Sequence, residues 1–98
     1  MAGTAKTSMQ VTIVSAAKPV WSGQARSVTV PATMGSMGIM PDHEPVLALL
    51  KEGDVSVQAL DGGKQSFHVD NGFASFDTNK LTVAVVHYLG DGQDGNQG

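Results

Sequence analysis

Turn signals recur at short intervals through the second half of this 98-residue chain, and they constrain its fold more than any other feature. The turn segments are Asp61-Gly62-Gly63, Asp70-Asn71-Gly72 and Asp77-Thr78-Asn79-Lys80. Apolar and polar residues alternate between them, and a period of two indicates half-buried β-strands. Short strands separated by closely spaced turns are typical of an antiparallel meander.

The first half is less regular but also predicts strands. Residues 9–14 alternate apolar and polar side chains, and residues 25–30 do so up to Pro31. Residues 33–45 carry two glycines three apart and two prolines four apart, which excludes a regular helix and favours an elaborate loop around a very short strand. Residues 46–50 are apolar but too short for a helix.

One domain fits this length. A single sheet cannot bury its own apolar face, so the predicted fold is all-β, a flattened sandwich of two antiparallel sheets. We expect residues 1–8 to be a flexible N-terminal end and residues 9–89 to be the sandwich domain. Residues 90–98 are Gly-rich and contain no apolar side chain, which predicts a disordered tail.

Composition excludes several classes of function. The net charge is −3 and no Lys/Arg cluster exists, so nucleic acid is not an expected partner. The chain has no cysteine, which excludes disulfides, thiolate nucleophiles and cysteine metal sites. No segment has the roughly 20 apolar residues of a membrane helix, and the N-terminus lacks the pattern of a signal peptide. We therefore expect no direct membrane insertion.

The polar residues do not assemble a recognisable catalytic or metal motif. Asp42, His43 and Glu44 are consecutive, and on extended backbone they point in alternate directions rather than at one atom. The three histidines, which include His68 and His87, match no metal-ligand spacing and are expected to lie on the surface or to be satisfied by hydrogen bonds. The sequence predicts no catalytic residues, no cofactor and no metal.

Glycine and methionine in the 33–45 segment have two interpretations each. Gly35 and Gly38 resemble a phosphate loop only weakly, since no Lys follows and Pro41 interrupts, and turn geometry is the favoured interpretation. The methionines at positions 34, 37 and 40 are either adaptable contact residues or ordinary core filling. Trp21 is expected to anchor the core or a sheet edge.

The same segment, Gly35-Ser36-Met37-Gly38-Ile39-Met40-Pro41-Asp42-His43-Glu44-Pro45, resembles the signature G-x-x-G-I-L-P-x-H-x-P of the epsilon subunit of F-type ATP synthases. Three further pieces agree in order and spacing, and the resemblance covers residues 11–86. They are Val14-Ser15-Ala16 with Trp21-Ser22-Gly23, Gly53-Asp54-Val55, and Asn71-Gly72-Phe73 with Lys80-Leu81-Thr82-Val83. Met40 replaces the usual Leu, and Ser36 stands where many members carry an acidic residue.

The resemblance implies a sandwich of about ten short strands and a mechanical role. In that role, a non-catalytic subunit of the central stalk, or rotor, links the gamma shaft to the membrane c-ring and supports coupling of proton-driven rotation to ATP synthesis. It places Gly35, Ser36, Met37 and Gly38 in a c-ring contact loop. It places His43 and Pro45 at the gamma interface, where His43 either touches gamma or braces the loop.

The resemblance also sets expectations for assembly. The protein should be a monomer when isolated and should lie peripherally on the cytoplasmic side of the bacterial plasma membrane through the complex. Family members usually continue into two C-terminal helices, and here the Gly-rich tail stands in their place, so we expect no ATP binding and no inhibitory arm. The chain is either naturally short or an excised domain. The alternative from another class is a small β-sandwich metal-binding or enzymatic module.

Overall fold

The computed structural model describes residues 8–91, and these form nine β-strands. The strands are β1 (Met9–Ser15), β2 (Pro19–Ala32), β3 (Gly35–Ile39), β4 (Val46–Leu50), β5 (Gly53–Ala59), β6 (Lys64–Val69), β7 (Gly72–Asp77), β8 (Lys80–Val85) and β9 (Tyr88–Asp91). Gly90 and Asp91, which the sequence assigned to a disordered tail, belong to β9. The predictions for residues 1–7 and 92–98 lie outside the described residues.

The strands form two layers that share β2. Residues 19–25 of β2 pair with β1, which continues through β8 and β7 to β4. Residues 25–32 of β2 pair with β5 on one side and β3 on the other, and β5 continues to β6 and β9. The all-β sandwich prediction is confirmed.

The hydrogen-bonded ladder differs from the expected two antiparallel sheets in two respects. It is continuous through all nine strands, since β2 serves both layers and also meets β4 at Ala32 and Leu50. In addition, β1 and β8 run parallel, with Gln10 opposite Lys80. Because strands this distant in the chain are not joined by a hairpin, their direction follows from how the layers close and not from a local turn.

One hydrophobic core fills the space between the layers. Its completely buried side chains come from alternate positions of the strands, as period-two patterning requires. The largest of them are Phe76, Met9, Ile13, Ile39 and Leu81. Burial of each such side chain contributes about 1.5–3 kcal/mol. Trp21 packs against this core with its ring 6.1 Å from that of Phe67, which confirms its anchoring role.

The turns have the chemistry that the sequence indicated. Gly62 has φ 98°, and the Gly63 N–H donates to the Asp61 carboxylate at 2.9 Å. Thr78 and Asn79 both have positive φ, at 51° and 58°, as a tight primed hairpin turn requires.

For residues 33–45 the sequence predicted an elaborate loop around a very short strand, and the structure has a regular five-residue strand there. Thr33 and Met34 form a two-residue turn, and β3 then runs back along β2 for five residues. Pro31 does not end β2. The Pro31 carbonyl accepts a hydrogen bond from the Lys51 N–H at 2.9 Å. The polar backbone group of Pro31 therefore points to the side of β2 that faces away from β3.

Candidate interaction surface

The residues that the resemblance singled out lie on one continuous stretch of chain. Gly35, Ser36, Met37 and Gly38 form most of the outer strand β3, and His43 and Pro45 lie in the segment that leads into β4. Except for the half-buried Met37, all of these residues are exposed. The predicted contact residues are therefore available to a partner, but the four residues predicted to contact the c-ring lie on a strand and not in an irregular loop.

The two glycines of β3 differ in what they require. Gly35 has φ 131°, which only glycine adopts readily, and it closes the hairpin opposite Ala32. Gly38 lacks a positive φ, and a Cβ added there would have nothing within 4 Å. The turn-geometry interpretation holds for Gly35 and is wrong for Gly38.

A reciprocal pair of hydrogen bonds fixes the segment before β4. The Asp42 N–H donates to the Asn79 side-chain oxygen at 2.6 Å, and the Asn79 amide donates to the Asp42 carboxylate at 3.0 Å. Asp42 has φ 66° and Asn79 has φ 58°, in the left-handed region that Asp and Asn tolerate well. The β7–β8 turn thus holds the segment that carries His43.

The His43 ring is oriented from two sides. Its Nδ1 lies 2.8 Å from the Glu44 carbonyl oxygen, and the ring meets the buried Phe76 edge-on at 6.0 Å. One side of an otherwise exposed imidazole is therefore held against a core residue, and its remaining surface is presented outward.

An exposed apolar patch, formed by Met34, Leu47, Leu49 and Phe73, was missed by the sequence analysis. Leu47 is 70% exposed and Leu49 66% exposed, and both lie on the outer face of β4. Phe73 is the cross-strand partner of Leu49, while Met34 is 97% exposed at the β2–β3 turn. Met34 also shares with Leu47 and Leu49 a shallow groove of about 250 Å³.

The signal for this patch was present in the sequence. All five residues 46–50 are apolar, and a strand with apolar residues at consecutive positions has apolar side chains on both faces. Contiguous exposed apolar area of this kind marks protein contacts.

The outer face of β2, β5 and β6 is polar by contrast. Hydroxyl and amide side chains cover it, together with the single ammonium group of Lys64. The residues are Ser27, Thr29, Ser56, Gln58, Lys64 and Ser66. This face is well solvated, so the apolar patch distinguishes one side of the sandwich as the side that a partner would cover.

His68 joins two carboxylates at one end of the β5–β6 hairpin. Its Nδ1 lies 2.6 Å from Asp54 and its Nε2 lies 3.0 Å from Glu52. Neutral imidazole has one N–H, so only the doubly protonated ring donates to both partners. The hydrogen bond to Asp54, and next that to Glu52, raise the pKa of His68 above its ordinary value of 6.5.

The raised pKa of His68 gives a signed pH dependence. Its contribution to the free energy of unfolding is complete below about pH 6.5 and is lost as pH rises through the higher folded pKa. We expect thermal denaturation to show a Tm that falls as pH rises through this range, and His68→Gln to remove that part of the fall. A wild-type Tm that rises through the same range would contradict the assignment.

His87 and Asp70 form a second pair nearby in the chain. Asp70 accepts the His87 backbone N–H at 2.8 Å and lies 2.7 Å from its Nδ1. Partial burial alone would raise the pKa of Asp70, but the hydrogen bonds and charge of His87 outweigh it, and the pKa lies below 3.8. This pair is expected to lose its contribution as pH falls through the lowered pKa.

Across residues 8–91 the acidic and imidazole groups do not converge as metal ligands do. They include no group of three or more His, Asp or Glu side chains placed to hold an ion. In the same range, no helix has the length and apolar character needed to cross a bilayer. What the described surface offers is shape, an apolar patch and a strand edge, which suit contact with another protein.

Comparison with known proteins shows the family of the chain. Residues 8–88 match the family described as ATP synthase, Delta/Epsilon chain, beta-sandwich domain. The ATP synthase epsilon chain of Streptomyces coelicolor is 42% identical over 84 residues, which cover 85% of this chain and 68% of that protein. The ATP synthase epsilon chain of Micrococcus luteus is 38% identical over 84 residues, which cover 85% of this chain and 92% of that protein.

Solved structures show the same fold at low sequence identity. A chain in the Euglena gracilis mitochondrial ATP synthase, in a structure of OSCP, F1 and c-ring, superposes with a TM-score of 0.82 at 20% identity, covering 92% of this chain and 57% of that one. A chain in a structure of the central stalk and c-ring of the Tetrahymena thermophila mitochondrial ATP synthase superposes with a TM-score of 0.67 at 18% identity. The superposition covers 89% of this chain and 69% of that one.

These likenesses extend through nearly all of residues 8–91, and they include the segment with His43 and Pro45 and the strand with Ser36. The chain belongs to the ATP synthase delta/epsilon chain family, as a β-sandwich domain of the epsilon type.

Proposed function

We propose that this chain is a non-catalytic rotor subunit in the central stalk of a proton-translocating F-type ATP synthase. It joins the gamma shaft to the c-ring and supports the coupling of rotation to ATP synthesis. Family membership supports this role, and the two similar solved chains come from ATP synthases. The subunit would lie peripherally on the cytoplasmic side of the bacterial plasma membrane through the complex.

The apolar patch is the single observation that carries the assignment of a partner surface. In the chain, His43 and Pro45 come just before β4, the strand that carries Leu47 and Leu49 of the patch. The resemblance assigns these two residues to the gamma interface. Gamma would cover Leu47, Leu49 and Phe73, with His43 at the border of the contact. A stable interface buries about 800 Å² per partner around a few apolar anchors.

A sandwich suits a load-bearing role. Ladder hydrogen bonds tie each described strand to its neighbours, and 20 apolar residues are buried between the layers. Close packing of this kind resists deformation. No observation in residues 8–91 favours the alternative of a small metal-binding or enzymatic module.

The His43→Ala variant tests the gamma assignment. We expect the Kd for gamma to weaken by roughly tenfold, since the ring borders the contact, with little change in Tm because His43 is exposed. Titration calorimetry with gamma of the Streptomyces coelicolor enzyme measures this. His87→Ala, which changes an exposed histidine outside the patch, is the control. Equal Kd values for the wild type and both variants would remove His43 from the interface.

Self-association is a separate test of the same proposal. We expect the isolated chain to be a monomer, because the patch is shaped for gamma and not for a second copy. A tight symmetric dimer in sedimentation experiments at micromolar concentration would contradict this.

A further inference from the structure

The register of β2 and β3 shows which backbone groups of β3 face outward. The Pro31 carbonyl accepts a hydrogen bond from Lys51, and the Thr33 N–H donates one to Leu49. At this end of β2, the backbone polar groups of odd-numbered residues therefore point toward β4 and β5. Val30 and Ala32 must then face β3, because successive residues of a strand direct their polar groups to opposite edges.

The outward-facing groups of β3 follow from this parity. Gly35 and Met37 lie opposite Ala32 and Val30 and bond to them, whereas Ser36 and Gly38 lie opposite Pro31 and Thr29. The N–H and C=O of Ser36 and Gly38 therefore point away from β2. Among the described strands β3 pairs with β2 alone, so its other edge has no partner strand.

This edge lacks the usual protection against strand addition. Exposed edges are commonly blocked by Lys, Pro or a bulge, but Gly35–Ile39 contains no charged residue and no proline. The pairing of β3 with β2 shows no register shift. The two residues whose backbone groups face outward carry only a hydroxymethyl group and a hydrogen as side chains, and space is open around Gly38. Another backbone can thus approach to hydrogen-bonding distance.

We propose that the Ser36–Gly38 edge binds an extended segment of a partner chain by strand addition, with backbone hydrogen bonds to both residues. This rests on the proposed function, under which the partner segment belongs to a c-ring subunit. Four groups at strand spacing match an extended backbone, and Ser36 offers no charge for an ion pair. Adding salt should therefore change the affinity little.

A second copy of this chain fits the edge less well. A five-residue strand presents only two outward-facing residues, and self-pairing on them alone would bury far less than the roughly 800 Å² per partner of a stable interface. In the proposed rotor, by contrast, the same edge adds to the contact with gamma.

Amide hydrogen exchange tests the proposal residue by residue. In the free chain, the Ser36 and Gly38 amides should exchange rapidly while that of Met37 is protected. On binding the purified gamma–c-ring rotor of the Streptomyces coelicolor enzyme, both should become protected by at least about tenfold. Binding with both amides still rapid would overturn strand addition and leave the proposed function intact. Failure to bind the rotor at all would overturn both.

Two variants at one position separate backbone from side chain. Gly38→Pro removes the outward N–H without removing a bond to β2, as edge strands tolerate, and Gly38→Ala keeps it. We expect Gly38→Pro to weaken rotor binding by roughly tenfold, which is the effect of one lost hydrogen bond. Gly38→Ala should change the affinity by less than about twofold. Circular dichroism should show both folded. Equal rotor affinities of the Gly38→Pro and Gly38→Ala variants would overturn the proposal. So would slow amide exchange at Ser36 and Gly38 that appears in the free chain as its concentration rises, since that would indicate self-pairing.

Discussion

Replacing Leu49 with aspartate is expected to weaken gamma binding by about a hundredfold while Tm stays nearly constant. Leu49 is 66% exposed in the isolated chain and lies opposite Phe73 at the centre of the apolar patch. Burying an unpaired carboxylate against an apolar partner costs several kcal/mol, and central anchors of interfaces are worth 2 kcal/mol or more. Titration calorimetry with gamma measures the change.

The control for this prediction is another exposed leucine. Leu60 is 39% exposed but lies after β5, outside the patch. Leu60→Asp adds the same charge and removes the same side chain. If both aspartate variants lowered the affinity equally, the effect would come from net charge, and the patch would not be the gamma contact.

Replacing Gly72 with alanine is expected to lower the free energy of unfolding by about 3 kcal/mol. An added Cβ would lie 2.0 Å from the Ala84 carbonyl oxygen and 2.6 Å from the Val85 Cα, and both atoms belong to backbone that cannot move aside cheaply. For a domain of this size the change lowers Tm by roughly 12–24 °C. Thermal denaturation followed by circular dichroism measures it.

Gly38→Ala is the matched control, since the same methyl group enters open space. Its Tm should stay within about 2 °C of the wild type, because strand propensity slightly favours alanine over glycine. A Gly72→Ala protein as stable as Gly38→Ala would show that β7 and β8 are not as close as described.

The strands from β5 to β8 were predictable because period-two patterning and turn chemistry agree there. The register of the β5–β6 hairpin was also implicit. Asp54 and His68 lie seven positions either side of Asp61, so a tight turn there brings them opposite each other. The pairing of His68 with Asp54 could therefore have been found, although the contact with Glu52 depends on the β4–β5 turn.

Other features depend on contacts that no local pattern encodes. The parallel pairing of β1 with β8 is fixed by layer closure, and no turn signal predicts it. Strand β4 was ambiguous because its apolar residues do not alternate, and only burial separates the inward Ala48 and Leu50 from the outward Leu47 and Leu49. The edge role of β3 needed the register against Pro31, since glycine-rich sequence alone indicated a loop.

Site-directed cross-linking in an assembled ATP synthase identifies the subunits that this sandwich contacts. The chain has no cysteine, so one introduced cysteine is a unique attachment point for a photoreactive group. We expect a probe on Leu47→Cys to label gamma and a probe on Ser36→Cys to label a c subunit. Labelling of neither subunit from either position, in a complex that retains the chain, would contradict the assignment of this sandwich to the junction of shaft and ring.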